Sequence, residues 1–202
     1  YEHGSNDLRS QGGPLKVSNA TDEGPLYDAL RDAATELGIP HNPDYNGVSQ
    51  EGIVRTQTTI SNGVRMSTAR CYLKPIKNRK NLRIETGAHT QKVIMEGKRC
   101  VGVDYHCKGK TIRAKASKEV IICTGGVASP QLLELSGIGQ PELLRSHGIK
   151  IEHELMGVGE HLRDHINAPI KFHMKRGDLS YNKRMQGLGP AWQVLRYLFQ
   201  KR

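Results

Sequence analysis

The chain has 202 residues, enough for one large or two small domains, but only 36% are hydrophobic and its aromatics are one Trp, seven Tyr and two Phe, a thin supply for a core. A net charge of +10 raises nucleic acid or an anionic surface as partner, yet the densest basic cluster (Lys74, Lys77, Arg79, Lys80, Arg83) has no aromatic stacking platform and reads as a solvated loop, so no nucleic-acid role is expected. Cys71, Cys100, Cys107 and Cys123 show neither C-x-x-C spacing nor disulfide-rich density, and no apolar run approaches the roughly 20 residues of a membrane span.

Gly12-Gly13-Pro14 makes a turn into a short strand ending near Ser18. Pro25 then opens a helix whose Leu26, Leu30, Ala33, Ala34 and Leu37 share one face at 3.6-residue spacing. Gly38 ends it and Pro40 prevents its resumption. Residues 41–52 form a loop in which Asn46-Gly47 is a turn. An extended segment follows to Ile60, and Asn62-Gly63 reverses the chain. Arg65 to Leu73 is predicted to be a helix capped near Ser67 and ended by Pro75. Short strands at 82–86, 90–95, 100–107 and 111–116 have meander spacing, with Glu96-Gly97 and Lys108-Gly109 as hairpin turns.

Val120-Ile121-Ile122-Cys123 is an apolar, β-branched run that predicts a buried strand covered on both faces, as in a parallel sheet. Gly125 and Gly126 supply a sharp turn, Ser129 a helix cap and Pro130 the first helical turn, with the helix stopping near Gly137. A strand feeding a glycine turn and a helix start is a common place for an α/β sheet to meet a phosphate-bearing ligand. Pro141 begins another helix that ends at Gly148, and residues 149–155 read as a strand. Gly157 to His165 is a loop, 166–174 alternates as a strand of a further sheet would, and 191–199 is an amphipathic helix. His161 and His165 are spaced i, i+4, but the flanking glycines argue for a loop and no third ligand stands nearby, so no metal is expected.

The stretch Gly126-x-x-Ser129-Pro130-x-Leu132-Leu133-x-x-Ser136-Gly137-Ile138-Gly139 closely resembles the second signature of the glucose–methanol–choline (GMC) flavin oxidoreductases. The resemblance extends, in the right order, through Gly12 to Ser18, Asn46-Gly47-x-x-Gln50-x-Gly52, Gly63-x-Arg65-x-Ser67-Thr68-Ala69-x-x-Tyr72-Leu73 and Gly157-Val158-Gly159-x-x-Leu162-x-Asp164-His165. In the last element His161 replaces the usual Asn, Arg163 the usual Gln and Met156 the usual preceding Pro. The flavour is that of the choline- and alcohol-dehydrogenase-like members.

What this resemblance implies is an α/β fold: part of an FAD-binding, Rossmann-like domain with an antiparallel β-meander, plus the start of an α+β substrate domain. Residues 1–79 would cover the cofactor and reach toward the substrate region, 80–155 would belong to the FAD domain, and 156–202 would begin the substrate domain. The implied cofactor is FAD and the implied substrate a small alcohol, and the electron acceptor has no determinant here. The backbone of Thr90 would bracket the adenine edge, and Thr124, Gly125 and Gly126 would pack beside the adenosine portion. The family's Gly-x-Gly-x-x-Gly loop is expected before Tyr1 and its catalytic His after Arg202, so no catalytic residue is expected in this chain and the 202 residues alone should be inactive. A GMC-fold oxidase or hydroxynitrile-lyase-like enzyme shares the same scaffold, and a basic binding module is the rival from another class.

Overall fold

In a computed structural model, residues 4–20, 24–171, 173, 175, 177 and 180–200 are described. The chain divides into two units, Tyr1–Leu82 with Ile170–Arg202, and Arg83–Pro169.

In the first unit, β1 (Ser18–Asn19) pairs antiparallel with β2 (Gln57–Thr58). Between them lies α1 (Pro25–Glu36), which starts on the proline that gives up only an unneeded N–H and ends at Gly38. The 41–53 loop is pinned by buried Asn42, whose Nδ2 donates to the carbonyls of Ser49 (2.8 Å) and Glu51 (3.0 Å) while its Oδ1 accepts the Asp44 N–H (2.8 Å). β3 (Ile60–Ser61) and β4 (Val64–Arg65) form a hairpin around Asn62-Gly63, as the sequence predicts.

The helix expected over 65–73 is replaced by a π-helical turn, Ala69–Leu73, running into a 3₁₀ turn, Lys74–Ile76. Ser67 does accept the Arg70 N–H (3.3 Å). Pro75 offers no N–H to the carbonyl of Cys71, so the turn widens, with Lys74 donating to Ala69, and the proline is absorbed rather than ending the helix. The unit also holds α4 (Tyr181–Arg184), capped by Ser180, and α5 (Gly189–Gln200), which contains the expected amphipathic tail.

The second unit is built on an antiparallel meander of β5 (His89–Glu96), β6 (Arg99–Cys107) and β7 (Lys110–Lys115). The β6–β7 turn falls on Lys108-Gly109, both at positive φ, as a two-residue hairpin requires. Residues 82–86 carry no strand; Arg83 and Glu85 pair with each other there. α2 (Gly125–Leu135) packs on β5, and β8 (Ile138–Gly139) pairs in parallel with β9 (His153–Glu154) on the far side of α3 (Pro141–Ser146). The strand expected over 149–155 is thus reduced to two residues. The core is Val93, Leu132, Ile138 and Val158, with Val120 and Ile122 packed against it.

Two further expectations are corrected. The Val120 run is not a strand: Val120 and Ile122 face the core, but Ile121 is 75% exposed, and among the described residues no strand pairs with this segment. An apolar run becomes a sheet strand only where a neighbour takes up its N–H and C=O groups. The alternating 166–174 run likewise forms no strand over its described residues, and Ile166 is fully exposed; Phe172 and Met174 lie outside the described residues. The fold is α/β with antiparallel sheets.

Candidate functional site

The glycine corner is a helix start rather than a turn before one. Gly125 and Gly126 are the first residues of α2, Thr124 is its N-cap, and Pro130 lies inside the helix. Ser129 therefore cannot cap it. Its Oγ lies 3.0 Å from Thr124 Oγ1, and neither hydroxyl takes up a backbone N–H at the helix start. The first turn also holds no acidic residue. Its backbone N–H groups and the positive end of the helix dipole are consequently unanswered by side chains of this turn.

Beside this start runs a groove of about 550 Å³. Gly126, Val127, Ser129 and Pro130 line one side, and the Gly157–Glu160 turn with Leu162 lines the other. Gly126 leaves its share of the wall bare: a Cβ there would meet only Leu162 Cδ1, at 3.8 Å. Deeper in, Glu134 lies over Gly159, where a Cβ would come within 2.7 Å of its Oε1, and Gln140 Nε2 donates to Glu160 Oε1 at 2.7 Å. Thr90 sits apart from the groove wall, on β5 opposite Tyr105, next to a bulge that leaves Gln91 as an extra residue. The structure thus brings Thr124, Gly125 and Gly126 together at one helix start, and puts Thr90 on the strand against which that helix packs.

The second wall of this groove is spelled in the sequence by the Gly157 to Leu162 motif, but its closeness to α2 is a tertiary fact that no local pattern reports. Ser136, a letter of the corner motif, is buried at the C-terminal end of the same helix. His161 and His165 lie in irregular chain, so their spacing does not put them on a helical face, and among the described residues no three His, Cys, Asp or Glu side chains gather to hold a metal ion. No described helix is long and apolar enough to cross a membrane.

The first unit has a separate polar cavity of about 470 Å³, lined by Tyr27, Arg31, His41, Asn42, Asp44 and Arg55 among others. Its electrostatics are largely internal. Burial would raise the pKa of Asp44, but hydrogen bonds from Gln57 and Arg9 outweigh it and hold the carboxyl below the ordinary range. Arg31 is tied to Asp28 and Asp32 on its own helix, and Arg55 stacks on the Tyr27 ring at 3.8 Å.

The GMC oxidoreductase family model matches residues 3–167. Oxygen-dependent choline dehydrogenase 1 of Chromohalobacter salexigens is 45% identical over 175 residues, 86% of this chain and 31% of that protein. The oxygen-dependent choline dehydrogenase of Photobacterium profundum is 39% identical over 201 residues, 98% of this chain and 35% of that protein. Among solved structures, an FAD-dependent oxidoreductase from Chaetomium thermophilum is similar with a TM-score of 0.83 and 25% identity, over 98% of this chain and 35% of its own. The chain spans about a third of the length of these relatives. A family match running from the first glycine turn through the α2 corner to the Gly157 motif leaves one assignment: the chain belongs to the GMC oxidoreductase family.

Proposed function

We propose that this chain supplies part of an FAD-dependent oxidoreductase acting on the CH–OH group of a small alcohol, choline or one like it. The observation that carries this reading is the 45% identity to a choline dehydrogenase across 86% of the chain. When bound, FAD accepts hydride from the alcohol carbon. The residues of this chain are suited to hold the adenosine portion rather than to act at the reacting ring. Uncapped N–H groups at the start of α2, a first turn without acidic side chains and the bare Cα of Gly126 beside an open groove fit a polar or anionic group that comes close to backbone.

Thr124, Gly125 and Gly126 are assigned to that seat, and the backbone of Thr90 to the adenine edge. On this reading 1–79 covers the cofactor, 80–155 is part of the FAD domain and 156–202 begins the substrate domain. Val120 to Cys123, whose Val120 and Ile122 pack against the core, then belongs to the Rossmann-like FAD domain. No histidine here is assigned as base.

The test is on the full-length protein. Flavin released by denaturation is identified by chromatography and counted per chain, and choline and simple alcohols are added without oxygen while the visible absorbance of the flavin is followed. Stoichiometric FAD that bleaches on adding an alcohol is expected. A protein without flavin, or one whose FAD no alcohol reduces, would overturn the proposal.

A further inference from the structure

We infer that Ser136 is a positioning residue for the proposed FAD seat: its hydroxyl fixes the end of α2 to β5 and so holds Thr124 to Gly126 in register with Thr90. The inference rests on the reading of those four residues given above, and concerns a residue that touches none of the groove. Ser136 is the C-cap of α2 and only 7% exposed. Its Oγ accepts the Val93 N–H at 2.9 Å and donates to the Leu132 carbonyl at 2.6 Å. A hydroxyl can do both at one atom, and no apolar side chain can do either.

Val93 is on β5, the outer strand of the meander, and its N–H turns to Ser136 rather than to β6. Otherwise α2 lies on β5 through apolar contacts of Leu132 with Val93. Such contacts resist separation but are non-directional, and tolerate sliding or tilting. Among the described residues no other side-chain hydrogen bond joins these two elements. The directional bond at Ser136 therefore sets their relative register.

The place of the tie gives it leverage. Gly125 lies eleven residues from Ser136, about 16 Å along the helix, so a 5° tilt about the tied end moves the helix start by about 1.4 Å. A shift of that size is enough to break hydrogen-bond geometry. Thr90 is three residues from Val93 on the same strand, across the bulge at Gln91, so the tie reaches the second half of the seat within one element.

The test measures FAD dissociation from the full-length protein by the fluorescence of released flavin, alongside Tm at saturating FAD. Ser136→Ala should raise the Kd for FAD about tenfold. Ser136→Thr keeps the hydroxyl at a residue that borders a cavity of about 280 Å³, and should restore the wild-type Kd. Leu144→Ala is the control. Leu144 is the most buried side chain of the unit, at 1% exposure, and lies on α3 away from the seat, so its loss should lower Tm while leaving Kd within about twofold. An unchanged Kd in Ser136→Ala, or an equal rise in Leu144→Ala, overturns the positioning role. A wild-type protein that holds no FAD overturns the parent reading instead, and this one with it. Should Ser136→Ala not fold, the Ser136→Cys variant, whose weaker hydrogen bonds give a partial loss, must still raise Kd above that of Ser136→Thr for the inference to stand.

Discussion

Gly137 is a position where the fold has little tolerance for a side chain, and three substitutions separate the reasons. Its φ of +82° lies in the left-handed region, which costs an L-residue about 1–2 kcal/mol. A Cβ there would also stand 2.3 Å from the Lys150 carbonyl oxygen and 3.1 Å from the Glu152 nitrogen. Relief requires moving backbone that accepts two N–H bonds at the Gly137 carbonyl, from Glu152 (2.8 Å) and His153 (3.1 Å), each worth about 1 kcal/mol. Gly137→Ala should therefore cost about 3–4 kcal/mol. Gly148→Ala isolates the first effect, since φ is +66° but nothing lies within 4 Å of the added carbon; about 1 kcal/mol is expected. Gly102→Ala isolates the second, with ordinary φ and a Cβ 2.3 Å from the Ala114 carbonyl oxygen; about 2 kcal/mol is expected. Hydrogen-exchange mass spectrometry on the full-length protein, read at the peptide spanning 150–154, reports the first of these directly. About a hundredfold faster exchange at Glu152 and His153 is expected in Gly137→Ala, and little change in the other two. Equal exchange in Gly137→Ala and Gly148→Ala would refute the close-approach argument.

Asp104 accepts both guanidinium bonds of Arg113 at 2.8 Å, across the β6–β7 register, and these bonds hold its carboxyl below the ordinary value of 3.8 despite the opposing effect of burial. The stability it confers is thus fully present above pH about 4 and is lost as pH falls through the depressed folded-state value. Asp104→Asn should lower stability at neutral pH and flatten the acid limb of a plot of urea midpoint against pH; an acid limb as steep as the wild type's would count against the pair. Gly126→Ala tests the seat from the opposite direction. Alanine favours the helix by up to about 1 kcal/mol and meets only Leu162, so Tm of the FAD-free protein should hold or rise while flavin occupancy falls. Full occupancy in a stable variant would remove Gly126 from the seat.

The parts of the fold legible in the sequence are those decided within a few residues. Pro25 and Gly38 bound α1, and Asn62-Gly63 and Lys108-Gly109 turn their hairpins, because φ restriction and positive-φ tolerance act at the residue itself. What was not legible depends on a partner. Val120 to Cys123 has the composition of a strand but no neighbour to pair with among the described residues, and Pro75 ends no helix because the turn before it widens to a π turn that does without the proline N–H. The site divides in the same way. The spelling of the corner pointed to Thr124, Gly125 and Gly126, yet the helix begins at the glycines instead of after them, because Thr124 rather than Ser129 takes the cap position. Ser136 was visible as a letter of the motif, but its role lies in a bond to a strand 43 residues away, and no periodicity reports such a bond.

His161 ties the sequence departure to a backbone fact. It stands where the family motif usually has Asn, and its φ is +58°, in the left-handed region. Asn tolerates that region better than other residues with a Cβ, because its short polar side chain can bond to nearby backbone, and His is among the few enriched there as well. The substitution therefore keeps the conformation while changing the chemistry, and neither the motif nor the structure requires the imidazole. His161→Asn should be neutral or stabilising by up to about 0.5 kcal/mol, His161→Ala should cost about 1 kcal/mol, and His161→Val more, since a β-branched side chain is least at home at positive φ. Urea denaturation of the full-length protein ranks the three. The pH profile of turnover should be the same in His161→Asn as in the wild type. A loss of the alkaline or acid limb in that variant would assign the imidazole a role in proton transfer, and a ranking with Ala above Asn would show that the left-handed backbone is not what the position selects.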